Sequence, residues 1–90
     1  MNKERRKAIE SALATLAKAK ELVEEAKGTL EEARDEERDY FDNMPESLQG
    51  GEKGERASAA ADALDEVCSS LDDMESAFAD IESNCETATE

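Results

Sequence analysis

The chain contains no histidine and no tryptophan, and has three aromatic residues, one proline and four glycines among its 90 residues. Without histidine, acid–base catalysis near neutral pH would need a perturbed carboxylate or lysine, and neither a Ser–His nor a Cys–His pair can form. The Glu-x-x-His motif of di-iron bundles is also excluded, and no Asp-rich calcium loop is present. Adjacent acid pairs such as Glu31 and Glu32 are typical of solvated helix faces. We expect no enzymatic activity, no metal and no cofactor.

Long apolar segments are also missing. No run approaches the roughly 18–20 apolar residues that span a bilayer, and the basic start leads into an amphipathic stretch rather than a signal peptide. The formal charge of −14 is uneven: residues 1–27 hold seven Lys/Arg and five Glu, whereas residues 28–90 hold four Lys/Arg and twenty acids. Such a polyanion is a poor ligand for nucleic acid or an acidic membrane. We therefore expect a cytoplasmic protein.

A heptad pattern runs through the first half of the chain. One file of branched residues and a second file of alanines, three positions later in each heptad, predict a helix over about residues 3–41. The files are Ile9, Leu16, Val23 and Leu30, and Ala12, Ala19, Ala26 and Ala33. Gly28 lies inside this helix, where it costs about 1 kcal/mol relative to alanine.

The second half repeats the pattern with larger residues and predicts a helix over about residues 55–84. Its files are Ala57, Leu64, Leu71, Phe78 and Cys85, and Ala60, Val67, Met74 and Ile81. Residues 85–90 lack a capping signal and are predicted to fray. Cys68 and Cys85 lie about 25 Å apart along this helix, too far for a disulfide, and are expected to be reduced packing residues.

The connection between the helices is predicted to be a glycine-rich loop over residues 42–54. Asn43 suits a helix C-cap and Pro45 prevents the helix from continuing, while residues 45–48 can form one helical turn. So short a connection predicts an all-α, single-domain, antiparallel two-helix hairpin. Because a hairpin leaves much of each apolar seam in water, and aromatic area is scarce, we expect at least a dimer that packs as a helical bundle.

Charge supports the antiparallel arrangement. The first helix begins with Lys3, Arg5, Arg6 and Lys7 and ends in acids, the reverse of what its macrodipole favours. In an antiparallel hairpin this basic start lies beside Asp80, Glu82 and Glu86, with which it is expected to pair, although exposed pairs contribute only about 0–1 kcal/mol each.

A candidate ligand site lies at the loop. Three glycines and the cations Lys53 and Arg56 stand at the predicted start of the second helix, where free N–H groups favour an anion. Arg38, Tyr40 and Phe41 precede the loop, and an aromatic ring there can stack on a nucleobase. The spacing is not that of a nucleotide-hydrolase phosphate loop. The alternative is structural: glycines that turn the chain, and a Tyr40 that packs in the alanine file.

Residues 35–55, with the sequence DEERDYFDNMPESLQGGEKGE, resemble the central signature of a family of small helical proteins of bacteriophages and prophages. The likeness nominally covers most of the chain, but only this central motif is specific. The family supplies no catalytic or binding residues to carry over. Its phage setting implies a non-enzymatic inhibitor of host antiviral defence.

Three functions follow from that setting. The first is an oligomeric sponge that sequesters a cyclic or ADP-ribose-type immune nucleotide at Arg38, Tyr40, Phe41, Lys53 and Arg56, in a pocket that a neighbouring subunit closes. The second is an acidic DNA mimic that inhibits a DNA-binding defence protein of the CRISPR or restriction type. The third is a structural or assembly module. Net charge favours the mimic, whereas cations around the glycine loop favour the sponge.

Overall fold

The computed structural model describes all 90 residues and contains only helices. Helix α1 spans Lys3–Asp42, the short helix α2 spans Glu46–Gln49, and α3 spans Glu52–Thr89. The all-α class predicted from the sequence is confirmed. The molecule measures 68 × 16 × 14 Å, so it is a rod whose length is that of its two long helices. None of the helices combines the length and the apolar character that crossing a bilayer demands.

The ends of α1 follow local sequence signals. Asn2 caps the start, where its Oδ1 accepts a hydrogen bond of 2.8 Å from the Arg5 N–H. At the other end the Asn43 N–H donates to the Asp39 carbonyl at 2.9 Å, and Pro45 follows two residues later. Since proline has no N–H and restricts the residue before it, α1 cannot extend into α2.

Helix α3 is longer at both ends than the sequence pattern indicates. It begins at Glu52 rather than near residue 55, and it continues to Thr89, through the segment from Cys85 for which fraying was predicted. At the last turn the Thr87 hydroxyl donates to the Ser83 carbonyl at 3.2 Å and the Thr89 hydroxyl to the Cys85 carbonyl at 3.0 Å. The Thr89 hydroxyl also lies 3.1 Å from the Glu86 carbonyl, one of the last four carbonyls of α3, which a helix end otherwise leaves to water.

Gly54 allows the first turn of α3 to pack closely against α2. It is buried in that turn, and a Cβ at this position would overlap the main chain of Gln49, the last residue of α2. The Gln49 side-chain amide in turn donates to the Phe41 carbonyl at 3.0 Å. These two contacts hold the short helix α2 against the first turn of α3 and the last turn of α1. The other loop glycines, Gly50 and Gly51, have ordinary negative φ angles, so their backbone does not require glycine.

Side-chain contacts between α1 and α3 occur along the rod. Near the loop Arg38 pairs with Asp65, in the middle Lys27 pairs with Asp72 and Glu75, and at the far end the Arg6 guanidinium donates to the Glu90 carbonyl at 3.4 Å. The predicted pairs between the basic start of α1 and Asp80, Glu82 and Glu86 are not formed. The ion pairs lie nearer the loop, where the cations of α1 occupy the seam itself.

The seam between α1 and α3 contains one of the two predicted files on each helix along its whole length and the other only in part. The files that begin at Ile9 and Ala57 are buried or half-buried, as expected. Their main companions are not the files predicted. In α3 the second buried file contains Ala61 and Cys68, and in α1 the second half-buried file comprises Leu13, Lys20, Lys27, Arg34 and Phe41.

The cations fit this seam for a physical reason. Lysine and arginine can lay their aliphatic stems along apolar surface while their charged ends reach carboxylates at the rim. The predicted second files therefore lie along the edge of the seam: Ala19, Ala33 and Ala60 are half-buried, whereas Ala12, Ala26, Val67, Met74 and Ile81 are exposed. Cys68 and Cys85 are free, the first buried and the second half-buried in the seam.

The interior is very small. Only Gly54, Ala57, Ala61 and Cys68 are buried. The accessible surface is 6573 Å², whereas a compact monomer of this mass exposes about 5,200 Å². The radius of gyration is 20.1 Å against about 12 Å for a compact domain of this length. The single chain leaves an unusually large surface in water for its mass, and seven large hydrophobic residues are exposed on it.

Candidate functional site

One side of the rod is almost free of acidic residues. It consists of two strips, one on each long helix, that take every third and fourth residue in alternation and flank the seam on the same side. The strip on α1 is Arg5, Ala8, Ala12, Thr15, Ala19, Leu22, Ala26, Thr29, Ala33, Glu36 and Tyr40. The strip on α3 is Lys53, Arg56, Ala60, Ala63, Val67, Ser70, Met74, Ala77, Ile81, Asn84 and Ala88. We call their surface the acid-poor face.

The two strips meet at the loop end of the rod. Tyr40 of α1 lines a groove together with Lys53, Arg56 and Ala60 of α3. Because the seam keeps its seven-residue register along both helices, strips that lie together at one end stay together along the rod. The cross-helix carboxylates Asp62, Asp65 and Asp72 belong to neither strip. The ion pairs therefore lie on the opposite side of the seam.

The composition of the acid-poor face differs sharply from that of the chain. It contains one acid, Glu36, and three cations, although the chain has 25 acids and 11 cations. Five of the seven exposed large hydrophobic residues lie on it: Leu22, Tyr40, Val67, Met74 and Ile81. Leu22 exposes 66% of its surface and Met74 45%. One side of the rod is thus apolar and weakly positive, and the rest is strongly negative.

Three of the five predicted ligand residues are brought together. Tyr40, Lys53 and Arg56 share a groove of about 320 Å³ with Glu37, Ala57 and Ala60. Tyr40 is 53% exposed, so its ring is available for stacking. Arg56 is paired with Glu52 of the same helix, with 2.6 Å between Nη2 and Oε1, and both side chains extend into solvent. Lys53 forms no ion pair.

The other two predicted residues lie elsewhere. Phe41 is half-buried in the seam and belongs to its second file. Arg38 is on the ion-pair side, where it contacts Asp65 and approaches Asp62 to 3.9 Å. Neither lines the groove. Phe41 lies about one helical turn after Glu37, which is also half-buried in the seam. Because Arg38 and Phe41 are close to Tyr40 in sequence, the sequence alone could not show that they lie on other faces of α1.

A second groove adjoins the first at the loop. Tyr40 and Lys53 line it as well, together with Asn43, Met44, Pro45 and Leu48, and its volume is about 390 Å³. Leu48 is more than half exposed and does not cover the seam. The sequence motif of residues 40–53 therefore forms a continuous surface around Tyr40, with apolar walls on the loop side and cations on the α3 side. Sequence reasoning did not include Met44 or Leu48 in the site.

Opposite the acid-poor face, cations of α1 meet acids of α3. The Lys27 ammonium is held by Asp72 and by Glu75 at 3.4 Å. The hydrogen bond that the Lys27 ammonium donates to Asp72 raises the pKa of Lys27 above its usual 10.5, although partial desolvation opposes the shift. The hydrogen bond with Asp35, at 3.1 Å, likewise raises the pKa of Arg34. Both cations are therefore charged throughout the physiological pH range.

Further acids extend the negative charge across α3 as far as the edge of the acid-poor face. Asp62 and Asp65, which pair with Arg38, line a shallow polar depression together with the unpaired Glu66 and Asp73. Ser69 and Ser70 complete its lining, and Ser70 also belongs to the α3 strip of the acid-poor face. Although acids are dense there, no group of three or more His, Cys, Asp and Glu side chains is placed to hold a metal ion. The depression offers negative charge to a partner rather than a set of convergent ligands.

No known protein family, curated protein or solved structure gives a match to this chain.

Proposed function

We propose that this protein is a non-enzymatic, bacteriophage-type binding protein that inhibits host antiviral defence by sequestering a nucleotide signal of the cyclic or ADP-ribose type. In this proposal the chain is a helical hairpin that associates with copies of itself into a bundle within the cytoplasm. The resemblance of residues 35–55 to small phage proteins supports the setting. The absence of histidine argues against turnover of the ligand.

The observation that carries the sponge is the groove that Tyr40 shares with Lys53 and Arg56. A nucleotide needs an aromatic surface for its base and cations for its phosphates, and the groove offers both at the size of a small-molecule site. In the single chain the groove is open. It borders the acid-poor face, so a second copy packed on that face would close it.

Calorimetry tests the sponge against a panel of cyclic oligonucleotides and ADP-ribose derivatives. We expect one class to bind with micromolar or tighter affinity and to raise the melting temperature by mass action. Lys53→Glu and Arg56→Glu should abolish both signals. Lys18→Glu makes the same charge change at an exposed position of α1 outside the groove and should leave them intact. Absence of heat with every ligand contradicts the sponge.

The acidic side of the rod favours a second function, a DNA mimic directed at a DNA-binding defence protein of the CRISPR or restriction type. Asp62, Asp65, Glu66 and Asp73 belong to neither strip of the acid-poor face, which reaches their depression only at Ser70, so a copy packed on that face does not have to enclose them. Dense negative charge on this side of α3 can compete with duplex DNA by electrostatic complementarity.

Affinity capture from infected, defence-expressing cells tests the mimic. Recovery of a DNA-binding enzyme, displaced by duplex DNA and by high salt, supports it. The matched variant is Asp73→Lys, which reverses one charge on the acidic side without touching the groove. Capture that is insensitive to DNA and to this variant contradicts the mimic. A chain that binds neither nucleotides nor such an enzyme is left with the third function, a structural or assembly module.

A further inference from the structure

We infer that the acid-poor face is the surface on which a second copy of this chain packs, with the loop ends of the two copies at opposite ends of a four-helix assembly. The inference rests on the self-association proposed above and names its surface and its orientation. It does not depend on the identity of any ligand.

Charge selects both the face and its occupant. Two chains of formal charge −14 repel each other, and a carboxylate enclosed at an interface without a partner is costly. The acid-poor face has one acid among its 22 positions, and its three cations give it net positive charge. It is therefore the side of the rod that a second copy can approach with the least repulsion and desolvation.

Apolar side chains on this face are placed to interdigitate with another helix pair. Val67, Met74 and Ile81 succeed one another at heptad spacing on α3, and all are at least 40% exposed. Met74, Ala77, Phe78 and Ile81 line a groove with entirely hydrophobic walls. Leu22 of α1 lines a second groove with Ala26, Thr29 and Leu30, and Glu25 stands at its outer edge, outside the strip. Large residues next to alanine-lined depressions are the arrangement that helices use when they pack against helices.

The area is sufficient for a stable dimer. A face 68 Å long and 16 Å wide offers a footprint of about 1,000 Å², whereas standard stable interfaces bury about 800 Å² per partner. The total surface of the single chain exceeds that of a compact monomer by about 1,400 Å², an excess of the same order as such an interface. One additional copy is enough to cover the five large hydrophobic residues exposed on this face.

The cations decide the orientation. Lys53 and Arg56 lie at the loop end of the acid-poor face, next to Tyr40. If the two loops were at the same end, Lys53 and Arg56 of both copies would gather at that end of the interface, where like charges repel. With the loops at opposite ends, they face the last turn of the second α3, which has no basic residue and carries the negative end of its helix dipole.

The interface is tested by a matched pair of variants followed by sedimentation equilibrium. Ala77→Glu adds a carboxylate to the acid-poor face, and Ala79→Glu adds one two residues later, at an exposed position outside the face. We expect the first to weaken association about tenfold or more and the second to leave it within about twofold of the unaltered chain. Helical circular dichroism at high concentration checks that both fold. Ala63→Glu, also exposed on the face, repeats the test if Ala77→Glu loses helix.

The outcomes distinguish a wrong choice of face from a lack of self-association. If the unaltered chain associates, and Ala77→Glu and Ala63→Glu associate as strongly as Ala79→Glu, the assignment of the face is overturned while self-association stands. A chain that sediments as a monomer at all concentrations overturns both. Nucleotide binding is measured independently, so failure of the sponge affects neither result.

Spin labels test the orientation. Ser47→Cys places a label on α2, Cys85→Ser removes the half-buried cysteine, and Cys68 is buried. Pulsed electron paramagnetic resonance should give a distance between labels close to the 68 Å length of the rod. A distance comparable to its 16 Å width would place both loops at one end and contradict the orientation.

Discussion

Gly54, in the first turn of α3, lies so close to the main chain of Gln49 that no side chain fits between them. This contact fixes the angle at which α3 leaves the loop. It also gives one glycine of the sequence Gly50-Gly51-Glu52-Lys53-Gly54 a packing role rather than a role in ligand binding. The contact brings Lys53 beside Tyr40, so the same close approach that ends the loop shapes the candidate groove.

Substitution of Gly54 should destabilise the fold although it improves helix propensity. Gly54→Ala should lower the free energy of unfolding by about 1–3 kcal/mol, because the new methyl group overlaps backbone that has no rotamer to change. Gly28→Ala is the matched control. Gly28 lies inside α1, and no neighbouring group comes within 4 Å of the place that a Cβ would take, so this change should stabilise by about 1 kcal/mol. Urea unfolding at a fixed protein concentration measures both. Equal effects of the two substitutions would contradict the close contact.

The contacts of Lys27 with Asp72 and Glu75 predict that the stability of the fold falls at alkaline pH. Its pKa is raised in the folded protein by Asp72 and Glu75, so folding favours the protonated ammonium. The stabilisation is fully present below the ordinary lysine value of 10.5 and is lost as the pH rises through the higher folded value. Thermal unfolding of the unaltered chain and of Lys27→Gln should therefore differ at pH 7 and converge above pH 10.5. A difference that persists unchanged at higher pH contradicts the assignment.

Asp65 should contribute to stability in a salt-dependent way, because it accepts hydrogen bonds from both Arg34 and Arg38. Its side chain is 47% exposed, so solvent screens the pairs and the loss in Asp65→Asn should be small. Asp73→Asn removes a carboxylate from the same side of α3 without breaking an ion pair. Melting temperatures at low and high salt should differ between these variants only at low salt.

Tyr40 offers a test of base stacking that leaves the fold intact. Tyr40→Phe keeps the ring and should keep nucleotide affinity within a few fold, whereas Tyr40→Leu keeps apolar packing and should lower affinity about tenfold or more, as expected for loss of one stacked base. The helical signal should be unchanged in both. Equal affinities in the two variants would show that the ring does not contact the ligand.

The helices themselves follow from short-range signals in the sequence. Heptad spacing, the Asn2 cap and the block at Pro45 determine where α1 lies and where it ends. The file from Ile9 and the file from Ala57 both lie in the seam, as their apolar character predicts. These signals depend on residues within one or two turns, which a single sequence displays directly.

The second seam file was predicted only in part, because its position depends on the partner helix. Each long helix carries more apolar residues than one neighbour can cover, and the alanine file and the Val67 file were the obvious companions by hydrophobicity. The fold instead places Lys27 and Arg34 in the seam, where carboxylates of α3 meet them. No pattern within α1 predicts where the carboxylates of α3 will lie. The same reason separates Arg38 from Tyr40, since only the position of α3 decides which side of α1 each faces.

Sedimentation equilibrium of the unaltered chain, over a wide range of dilution and with melting temperature recorded in parallel, tests the central claim that one helix pair cannot shield its own apolar residues. We predict a mass of at least twice 9.8 kDa at micromolar concentration and a melting temperature that falls on dilution, because association stabilises the fold by mass action. A 9.8 kDa species that melts cooperatively at the same temperature at every concentration would contradict this claim.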